Sequence, residues 1–509
     1  MKALYRSWLW LLVLCGLCGS LAAQTAPANQ ARPVTVITVH ARAAGQPFPH
    51  FWERMFGSGH AILALRQSYR RDLTAVHRIT GFRYIRFHGI FDRQVGAFHL
   101  NAQGRPVYNW TNVDQIYDGL LRHGIRPYVE LSFMPREMAA TPLRQGFFYH
   151  PYVAPPKDWA LWAGLIRHFA RHLIARYGLA EVSRWYFEVW NEPNLGFWKG
   201  VPKQATYFHL YDVTARALKS VSPLLRVGGP ATAQAAWVGQ FLRHCKRHRV
   251  PVDFVSTHVY GNDTPKVLHR TTRVPQRAMV GLAVDKVYNE VLHSPWPHMP
   301  IIFSEYNASY KNQVAVTDSP YMGPWLANTI RECAGKVKIM SYWAFSDVFV
   351  EQGVAHTPFY GGFGLVATGH IPKPAYNAFA LLHHLGTRRL PSSSRSALVT
   401  RTADGALAIA LWNYAPVHGP GRPRSFTLRF HGLRRAHAAY IQTVDPRHGN
   451  ALAAWRAMGS PAFPTRAQQL ALRQAAKLPP PQVRRLAPGH EQLRLTLRPY
   501  SLTLVRVPR

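Results

Sequence analysis

Hydrophobic residues follow two alternating periods along most of the chain, and these periods predict the elements of an α/β fold. Short β-branched and aromatic runs, typical of strands, alternate with longer segments whose apolar residues recur three and four positions apart, such as 61–79. The predicted strands lie near residues 51–56, 82–87, 126–131, 184–190, 225–230, 253–260, 300–305 and 339–345. Because strand–helix units at this spacing close into a ring, residues 45–390 are predicted to form a (β/α)8 TIM barrel.

The pattern of hydrophobic and polar residues changes near residue 391. Short alternating runs such as 406–414 and 425–430 are separated by glycine, proline and charged residues, which is typical of an all-β domain. We expect residues 391–509 to form an accessory β-sandwich, interrupted by a proline- and alanine-rich insertion over 451–488. An alternating run at 34–41 has no place in the barrel order, so the linker and strand of residues 24–44 are predicted to join this sandwich.

The first residues have the pattern of a secretory signal peptide. Lys2 and Arg6 precede an apolar run from Trp8 to Cys18, and small residues follow as at a cleavage site. Residues 1–23 are therefore expected to be removed, and the mature protein to be exported to the periplasm or the medium. The run is too short for a comfortable membrane span, and no later stretch is long and apolar enough to form one.

The composition adds a strong positive charge without identifying a partner. Sixty-one Lys and Arg residues against 24 Asp and Glu give a formal net charge of +37, or +35 once Lys2 and Arg6 leave with the signal peptide. Such a field attracts anions. The basic residues are scattered, with no long basic run or nucleic-acid-binding signature, so no nucleic-acid partner is predicted. A general bias in composition is favoured over a polyanionic partner, and both stay open.

Two glutamates stand where barrel enzymes keep their catalytic groups. Glu192 follows the predicted strand 184–190 at an Asn-Glu-Pro turn, and strict alternation would place Glu188, Trp190 and Glu192 on one face. Glu305 ends a second apolar run, 113 residues later. This spacing fits about three strand–helix units, which places the carboxylates at the carboxyl ends of strands four and seven. One such glutamate is typical of a surface loop, but a facing pair is the machinery of glycoside hydrolysis.

Further candidates for substrate contact fall at the same predicted mouth. His88 ends strand two, and His258 and Tyr260 end strand six, although a lone histidine is more often structural. Trp343 and Phe197 are candidate apolar platforms for a sugar ring, although most aromatic residues of such a chain belong to its core.

Arg86 is predicted to lie inside the barrel. Beside Glu305 it would help to keep that carboxylate ionised, whereas its alternative partner is Glu188. The sequence does not separate these two arrangements.

No cofactor or metal is predicted. Gly362-x-Gly364-x-x-Ala367 matches a dinucleotide-binding fingerprint, but no strand–helix–strand unit with a following acidic residue surrounds it. The Cys15-x-x-Cys18 pair falls in the predicted signal peptide, which excludes it as a redox or metal site of the mature protein.

Longer motifs around these residues resemble a known family. Glu188-Val-Trp-Asn-Glu-Pro-Asn, Phe303-Ser-Glu-Tyr-Asn, Arg86-Phe-His-Gly-Ile-Phe and Tyr342-Trp-Ala-Phe-Ser-Asp are similar to motifs of glycoside hydrolase family 39, which holds β-xylosidases and α-L-iduronidases. The resemblance covers roughly residues 45–390. It implies a (β/α)8 barrel with a β-sandwich and retention of anomeric configuration. It also implies Glu192 as acid/base and Glu305 as nucleophile.

The same resemblance bears on the substrate. It implies that Asn191, whose other interpretation is turn chemistry, bonds a sugar hydroxyl. Two departures concern substrate choice: Phe349-Val-Glu351 replaces a common Phe-Glu-Glu, which leaves Glu351 as one acidic sugar contact, and Phe359-Tyr-Gly361 replaces Phe-His-Gly. We expect an oligosaccharide or aryl-glycoside substrate, foremost a β-xyloside. Arabinopyranosides, glucosides, uronic-acid glycosides and a non-catalytic polysaccharide-binding role remain alternatives, and the oligomeric state is not predicted.

Overall fold

A closed barrel of eight parallel strands forms the centre of the computed structural model, which describes residues 34–419, 421–433, 437–486 and 491–509. The strands follow chain order around the barrel and span Met55–His60, Tyr84–His88, Arg126–Leu131, Tyr186–Val189, Arg226–Thr232, Phe254–Tyr260, Ile301–Asn307 and Ile339–Tyr342. The last strand pairs with the first, Ser341 opposite Met55, and closes the ring. The predicted (β/α)8 barrel is confirmed. The predicted signal peptide, residues 1–23, lies outside the described residues.

Helices on the outside of the barrel connect successive strands, and one more follows the eighth strand. They span Gln67–Thr80, Thr111–Leu121, Trp159–Tyr177, Leu179–Val182, Lys203–Val221, Val238–His248, Gln276–Leu292, Val314–Thr317, Met322–Cys333 and Pro374–His383. Short 3-10 turns span Phe51–Glu53, Ala61–Leu65, Ala233–Ala235 and Pro265–Leu268. The continuous helix expected over 61–79 is wrong, because Arg66 adopts an extended backbone between the 3-10 turn and the helix.

Two layers of side chains fill the inside of the barrel. The layer at the amino ends of the strands is apolar and consists of Met55, Tyr128, Tyr186, Phe254, Ile302 and Ile339. Side chains two residues further along a strand share its inward face, so Glu130 follows Tyr128 and Glu188 follows Tyr186 into a second, polar layer. This polar layer lies towards the carboxyl ends, where the loops open.

The C-terminal region is a sandwich of two sheets around a separate apolar core. The smaller sheet consists of Thr35–His40, Arg424–His431 and Gln492–Leu497. The larger sheet consists of Gln46–Pro47, Arg388–Arg389, Ala397–Arg401, Leu407–Asn413, Ser501–Val507, His437–Val444 and Gln482–Leu486. Ile37 and Leu428 of the smaller sheet share this core with Ile409 of the larger one, because alternate side chains of each strand face inwards.

The N-terminal strand Thr35–His40 runs parallel to Arg424–His431, with Thr35 opposite Phe426. Gln46–Pro47 and Arg388–Arg389 lie within the range 45–390 assigned to the barrel by sequence, yet they pair with each other in the larger sandwich sheet. They do so because the chain passes between the sandwich and the barrel at these two points.

The insertion over 451–488 contains two helices, Ala451–Ala457 and Arg466–Ala475. They share an apolar cluster with Phe359 and with the short hairpin Val366–Ala367 and Ile371–Pro372 that follows the last barrel strand. A second hairpin, Phe98–Leu100 with Pro106–Tyr108, lies in the loop after the second strand. Across the described residues, none of the helices has the length and apolar character needed to cross a membrane.

Replacing Ile37 by alanine should destabilise the protein through the sandwich. Ile37 is fully buried in the sandwich core, whereas Val36 in the same strand is 42% exposed. We expect Ile37→Ala to lower the free energy of unfolding by about 2–5 kcal/mol, and Val36→Ala to change it by less than roughly 0.5 kcal/mol. Denaturant unfolding measures both, and equal effects of the two substitutions would contradict the placement of this strand.

Candidate active site

Glu192 and Glu305 lie at the carboxyl end of the barrel. Glu192 follows the fourth strand, Tyr186–Val189, and Glu305 lies in the seventh, Ile301–Asn307. A carboxylate oxygen of each residue lies within 4.8 Å of one of the other, and both lie within that distance of a ring nitrogen of His258. The two carboxylates therefore face the same small volume.

A sharp turn after Val189 positions Glu192. Trp190 and Glu192 both have positive φ, 72° and 41°, and the Glu192 N–H donates to the Ala231 carbonyl at 2.8 Å. The expected alternation over Glu188, Trp190 and Glu192 is wrong, because the strand ends at Val189 and the turn changes the side-chain direction. Trp190 instead belongs to the large apolar cluster, and its indole N–H donates to the carbonyl of Phe197 in the following loop at 2.7 Å.

Arg86 connects the buried carboxylates of the polar layer. Its Nε donates to Glu188 Oε2 at 2.6 Å, and its Nη1 donates to Glu305 Oε1 at 2.7 Å. Its Nη2 lies 2.8 Å from Glu130 Oε2 and 3.0 Å from Asn191 Oδ1. Both arrangements that the sequence left open are present at once.

The remaining oxygens of this cluster also have partners. Glu188 accepts from the Ser304 hydroxyl at 2.6 Å, and Glu130 lies 2.7 Å from the His88 ring. Burial alone would raise the pKa of Glu130, but His88 and Arg86 together lower it below its usual range. Sequence reasoning missed Glu130, although a glutamate at an inward position of the third strand was an available signal.

The two facing carboxylates have different electrostatic surroundings. Burial, followed by the charges of Glu305 and Asp263, raises the pKa of Glu192 well above its usual value. Burial also raises the pKa of Glu305, but the Arg86 charge and the Tyr260 hydroxyl, which donates to Glu305 Oε2 at 2.6 Å, oppose this. Glu192 is therefore the more easily protonated of the pair, and Glu305 the better stabilised as an anion.

His258 lies between the two carboxylates. Burial lowers its pKa well below the usual value, and the charges of Arg86 and His88 lower it further, so the ring is neutral. Its Nδ1 lies 3.0 Å from Glu192 Oε1 and 3.5 Å from Glu305 Oε1, and the side chain is fully buried. His258 thus positions the carboxylates and does not form the cavity wall. Glu192, His258 and Glu305 lie close enough together to be considered as metal ligands. Their hydrogen bonds, between His258 and Glu192 and between Arg86 and Glu305, account for this proximity.

A cavity of about 270 Å³ opens above the carboxylates. The residues singled out from the sequence that line it are His88, Asn191, Glu192, Phe197, Tyr260, Glu305, Trp343 and Glu351. Burial raises the pKa of Glu351 well above its usual range, and the charges of Glu305 and Glu192 add to this. Arg86 and His258 lie beneath this wall, in contact with the carboxylates.

Loops supply cavity residues that sequence reasoning did not single out. These include Phe147, Leu195, Gln234, Asp263, Tyr310, Gln352 and Phe363. Asp263 accepts from the Tyr260 backbone N–H at 2.9 Å, and burial raises the pKa of Asp263 to about 7. The Asn-Asp pair after the sixth strand was the signal for it, but such pairs are common in turns.

Comparison with known proteins agrees with this architecture. The profile described as glycosyl hydrolases family 39 matches residues 35–489. A β-xylosidase of Geobacillus stearothermophilus is 38% identical, over 91% of this chain and 93% of that protein. A monomeric β-xylosidase from Caulobacter crescentus CB15 has a crystal structure that superposes with a TM-score of 0.85 at 34% identity, over 93% of this chain and 99% of that one.

More distant relatives are named for a different sugar. An α-L-iduronidase of Canis lupus familiaris is 25% identical, over 97% of this chain and 81% of that protein. With the family profile covering most of the chain, and with a paired-carboxylate cavity at the carboxyl end of its barrel, the chain belongs to glycosyl hydrolases family 39 and is a glycosidase that acts on a carbohydrate substrate.

Proposed function

We propose that this glycosidase is an exported, retaining β-xylosidase that acts by double displacement, with Glu192 as acid/base and Glu305 as nucleophile. The observation that carries the proposal is the approach of the two carboxylates, within 4.8 Å between oxygens. Retaining pairs lie about 5–5.5 Å apart, whereas inverting pairs lie about 6.5–9.5 Å apart to admit a water molecule. The short separation therefore supports retention.

In the first step, a Glu305 oxygen forms a bond to the anomeric carbon as the bond to the leaving-group oxygen breaks. Glu192 gives its proton to that oxygen, so the aglycone leaves as a neutral alcohol. In the second step, Glu192 takes a proton from water, and the water oxygen replaces Glu305 at the anomeric carbon. Glu192 regains its proton only at the end of the cycle, and the product keeps the configuration of the substrate.

The surroundings of each carboxylate support these roles. The acid must be protonated at working pH, and Glu192 has the raised pKa that this requires. The nucleophile must be ionised, and Arg86 Nη1 and the Tyr260 hydroxyl stabilise the negative charge on both oxygens of Glu305. When Glu305 becomes a neutral ester, Glu192 loses a repulsive neighbour. The pKa of Glu192 then falls, which suits its second role as a base.

The β-xyloside assignment rests on the relatives and on the cavity. The two bacterial relatives at 38% and 35% identity are both named β-xylosidases. Glu351 and Trp343 line the cavity beside Glu305 and are available for a small sugar. Export rests on the N-terminal pattern of residues 1–23. Sequencing the N-terminus of protein recovered outside the cytoplasm tests it, and retention of the uncleaved segment would contradict it.

A panel of nitrophenyl glycosides tests the substrate assignment. We expect the highest kcat/KM on the β-D-xyloside, and lower values on the α-L-arabinopyranoside, β-D-glucoside and α-L-iduronide. Proton NMR during hydrolysis should show the β-anomer of xylose first. A higher kcat/KM on any other glycoside would contradict the β-xyloside assignment, and first appearance of the α-anomer would overturn retention.

Alanine at each carboxylate should separate the two roles. Glu305→Ala should abolish turnover of all substrates, because no covalent intermediate can form. Glu192→Ala should lower kcat/KM on unactivated xylosides by roughly 10²–10⁴-fold, the usual contribution of proton transfer, and much less on dinitrophenyl xyloside, whose leaving group needs little protonation. Azide should restore turnover of Glu192→Ala and give a β-xylosyl azide. Glu290→Ala, a change in the helix Gln276–Leu292 at a residue that does not line the cavity, is the control. Equal losses on both substrate types without azide rescue would mean that Glu192 is not the acid.

Tyr260→Phe should shift the acidic limb of the pH profile. The Tyr260 hydroxyl donates to Glu305 and lowers the pKa of that carboxyl, so its loss raises this pKa. Glu305 must be ionised to attack, so activity should fall at a higher pH than in the parent protein when kcat/KM is followed towards acid. Tyr310→Phe is the matched control, because Tyr310 lines the same cavity. An unchanged acidic limb in Tyr260→Phe would show that this bond does not govern ionisation of the nucleophile.

A further inference from the structure

Two histidines and a glutamate meet at the opposite end of the barrel from the cavity. His50 immediately precedes the 3-10 turn Phe51–Glu53, and Glu53 is the last residue of that turn, which precedes the first barrel strand. His383 is the last residue of the helix Pro374–His383, which follows the eighth. This group, His50, Glu53 and His383, has no part in the chemistry described above.

The geometry of the group is that of convergent ligands. His50 Nδ1 lies 2.6 Å from Glu53 Oε1, and His383 Nδ1 lies 2.9 Å from the same oxygen. Glu53 is only 4% exposed, and its other oxygen, Oε2, is buried without a hydrogen-bond partner among the described residues. A buried carboxylate with an unsatisfied oxygen is costly unless a cation compensates it.

The second ring nitrogen of His50, Nε2, gives an independent indication of a metal site. Nε2 lies 2.9 Å from the Leu385 carbonyl oxygen, which can only accept, so Nε2 carries the hydrogen. With the hydrogen on Nε2, Nδ1 is the ring nitrogen that can present a lone pair to an ion beside Glu53. Histidines that bind metals typically donate their second ring N–H to a carbonyl or carboxylate in this way, which fixes the ring with its free nitrogen towards the ion.

We propose that His50, Glu53 and His383 bind a divalent transition-metal ion of the Zn²⁺ class, with water as a fourth ligand. Two imidazole nitrogens and one carboxylate are a ligand set that suits zinc. Ligand bonds of about 2.0–2.2 Å require the three atoms to move apart by less than about 1 Å, or Glu53 to present Oε2. The His383 side chain is 41% exposed, which leaves a path for the ion and its water.

The position of the site gives the ion a structural effect. It would join the segment before the first barrel strand to the helix after the eighth, so it would close the ring a second time. Next to it, the Phe48 N–H donates to the Thr387 carbonyl at 2.8 Å, where the chain crosses between barrel and sandwich. Metal binding to the folded state alone would therefore stabilise the junction without altering the catalytic carboxylates.

Zinc titration of the mature protein, stripped with a chelator and held at pH 7.5, tests the site. We expect one equivalent of Zn²⁺ to bind with a Kd of about 10 μM or tighter, weaker than in structural sites with four protein ligands. At about 100 times Kd, the Tm should rise by roughly 2–3 °C. His383→Gln should weaken binding at least tenfold and remove the shift in Tm. His384→Gln, the adjacent residue outside the group, should keep both.

Two further variants decide the origin of any binding. Glu53→Gln keeps the shape of the side chain but removes its charge, and should also lose zinc. Glu192→Gln reports on a second cluster among the described residues whose atoms are close enough for a metal, and this variant should bind zinc as the parent does. Glycosidase activity of His383→Gln equal to that of the parent, measured without added zinc, would show that this variant is folded. Equal zinc affinity of the parent and His383→Gln, loss of zinc in Glu192→Gln, or no binding up to 100 μM (a limit about tenfold above the expected Kd) would overturn the proposal.

Discussion

The buried guanidinium of Arg86 is the interaction on which the catalytic end of the barrel depends. It donates to Glu188 and Glu305 and contacts Glu130, and the three carboxylates are buried. Each buried carboxylate would cost several kcal/mol without a partner of opposite charge. The apolar layer beneath and the strands around it hold Arg86 in place, so the position of the charge is fixed before any substrate binds.

This fixed charge makes two similar carboxylates different. Glu305 receives a direct bond from Arg86 and another from Tyr260, whereas Glu192 has the neutral ring of His258 beside it. Both carboxylates line one cavity and burial raises the pKa of each, so the difference between them arises from the neighbouring donors and charges. Such separation of two neighbouring carboxylates is what acid and nucleophile require at a single pH.

The sequence predicted the barrel and the strands that carry Glu192 and Glu305, because side-chain period and strand spacing are local properties that a ring of parallel strands preserves. It could not predict the direction of Trp190, because the alternation rule fails once the backbone enters a turn with positive φ. Glu130 and Asp263 were missed for a related reason. Their importance comes from partners distant in sequence, such as Arg86 for Glu130, and periodicity holds no information on such contacts.

The walls of the cavity depend on a different set of interactions from its base. The Phe148 backbone N–H donates to the Glu351 carbonyl at 2.8 Å and so joins the loops after the third and eighth strands. Buried Lys373 bonds Asp318 at 2.7 Å and Asp347 at 2.5 Å, and these aspartates accept the N–H groups of Gly361 and Gly364.

A Cβ at Gly364 would overlap the Asp347 backbone nitrogen, so the loop can pack here only as glycine. The loop that carries Phe363 is therefore anchored independently of Arg86 and the carboxylate pair. Changes at residues that line the cavity wall, such as Gln352 and Phe363, can therefore alter its shape without disturbing the charges at its base. Because the two sets of contacts are separate, one arrangement of catalytic carboxylates can serve relatives that are named for different sugars, as the β-xylosidases and α-L-iduronidases of this family are.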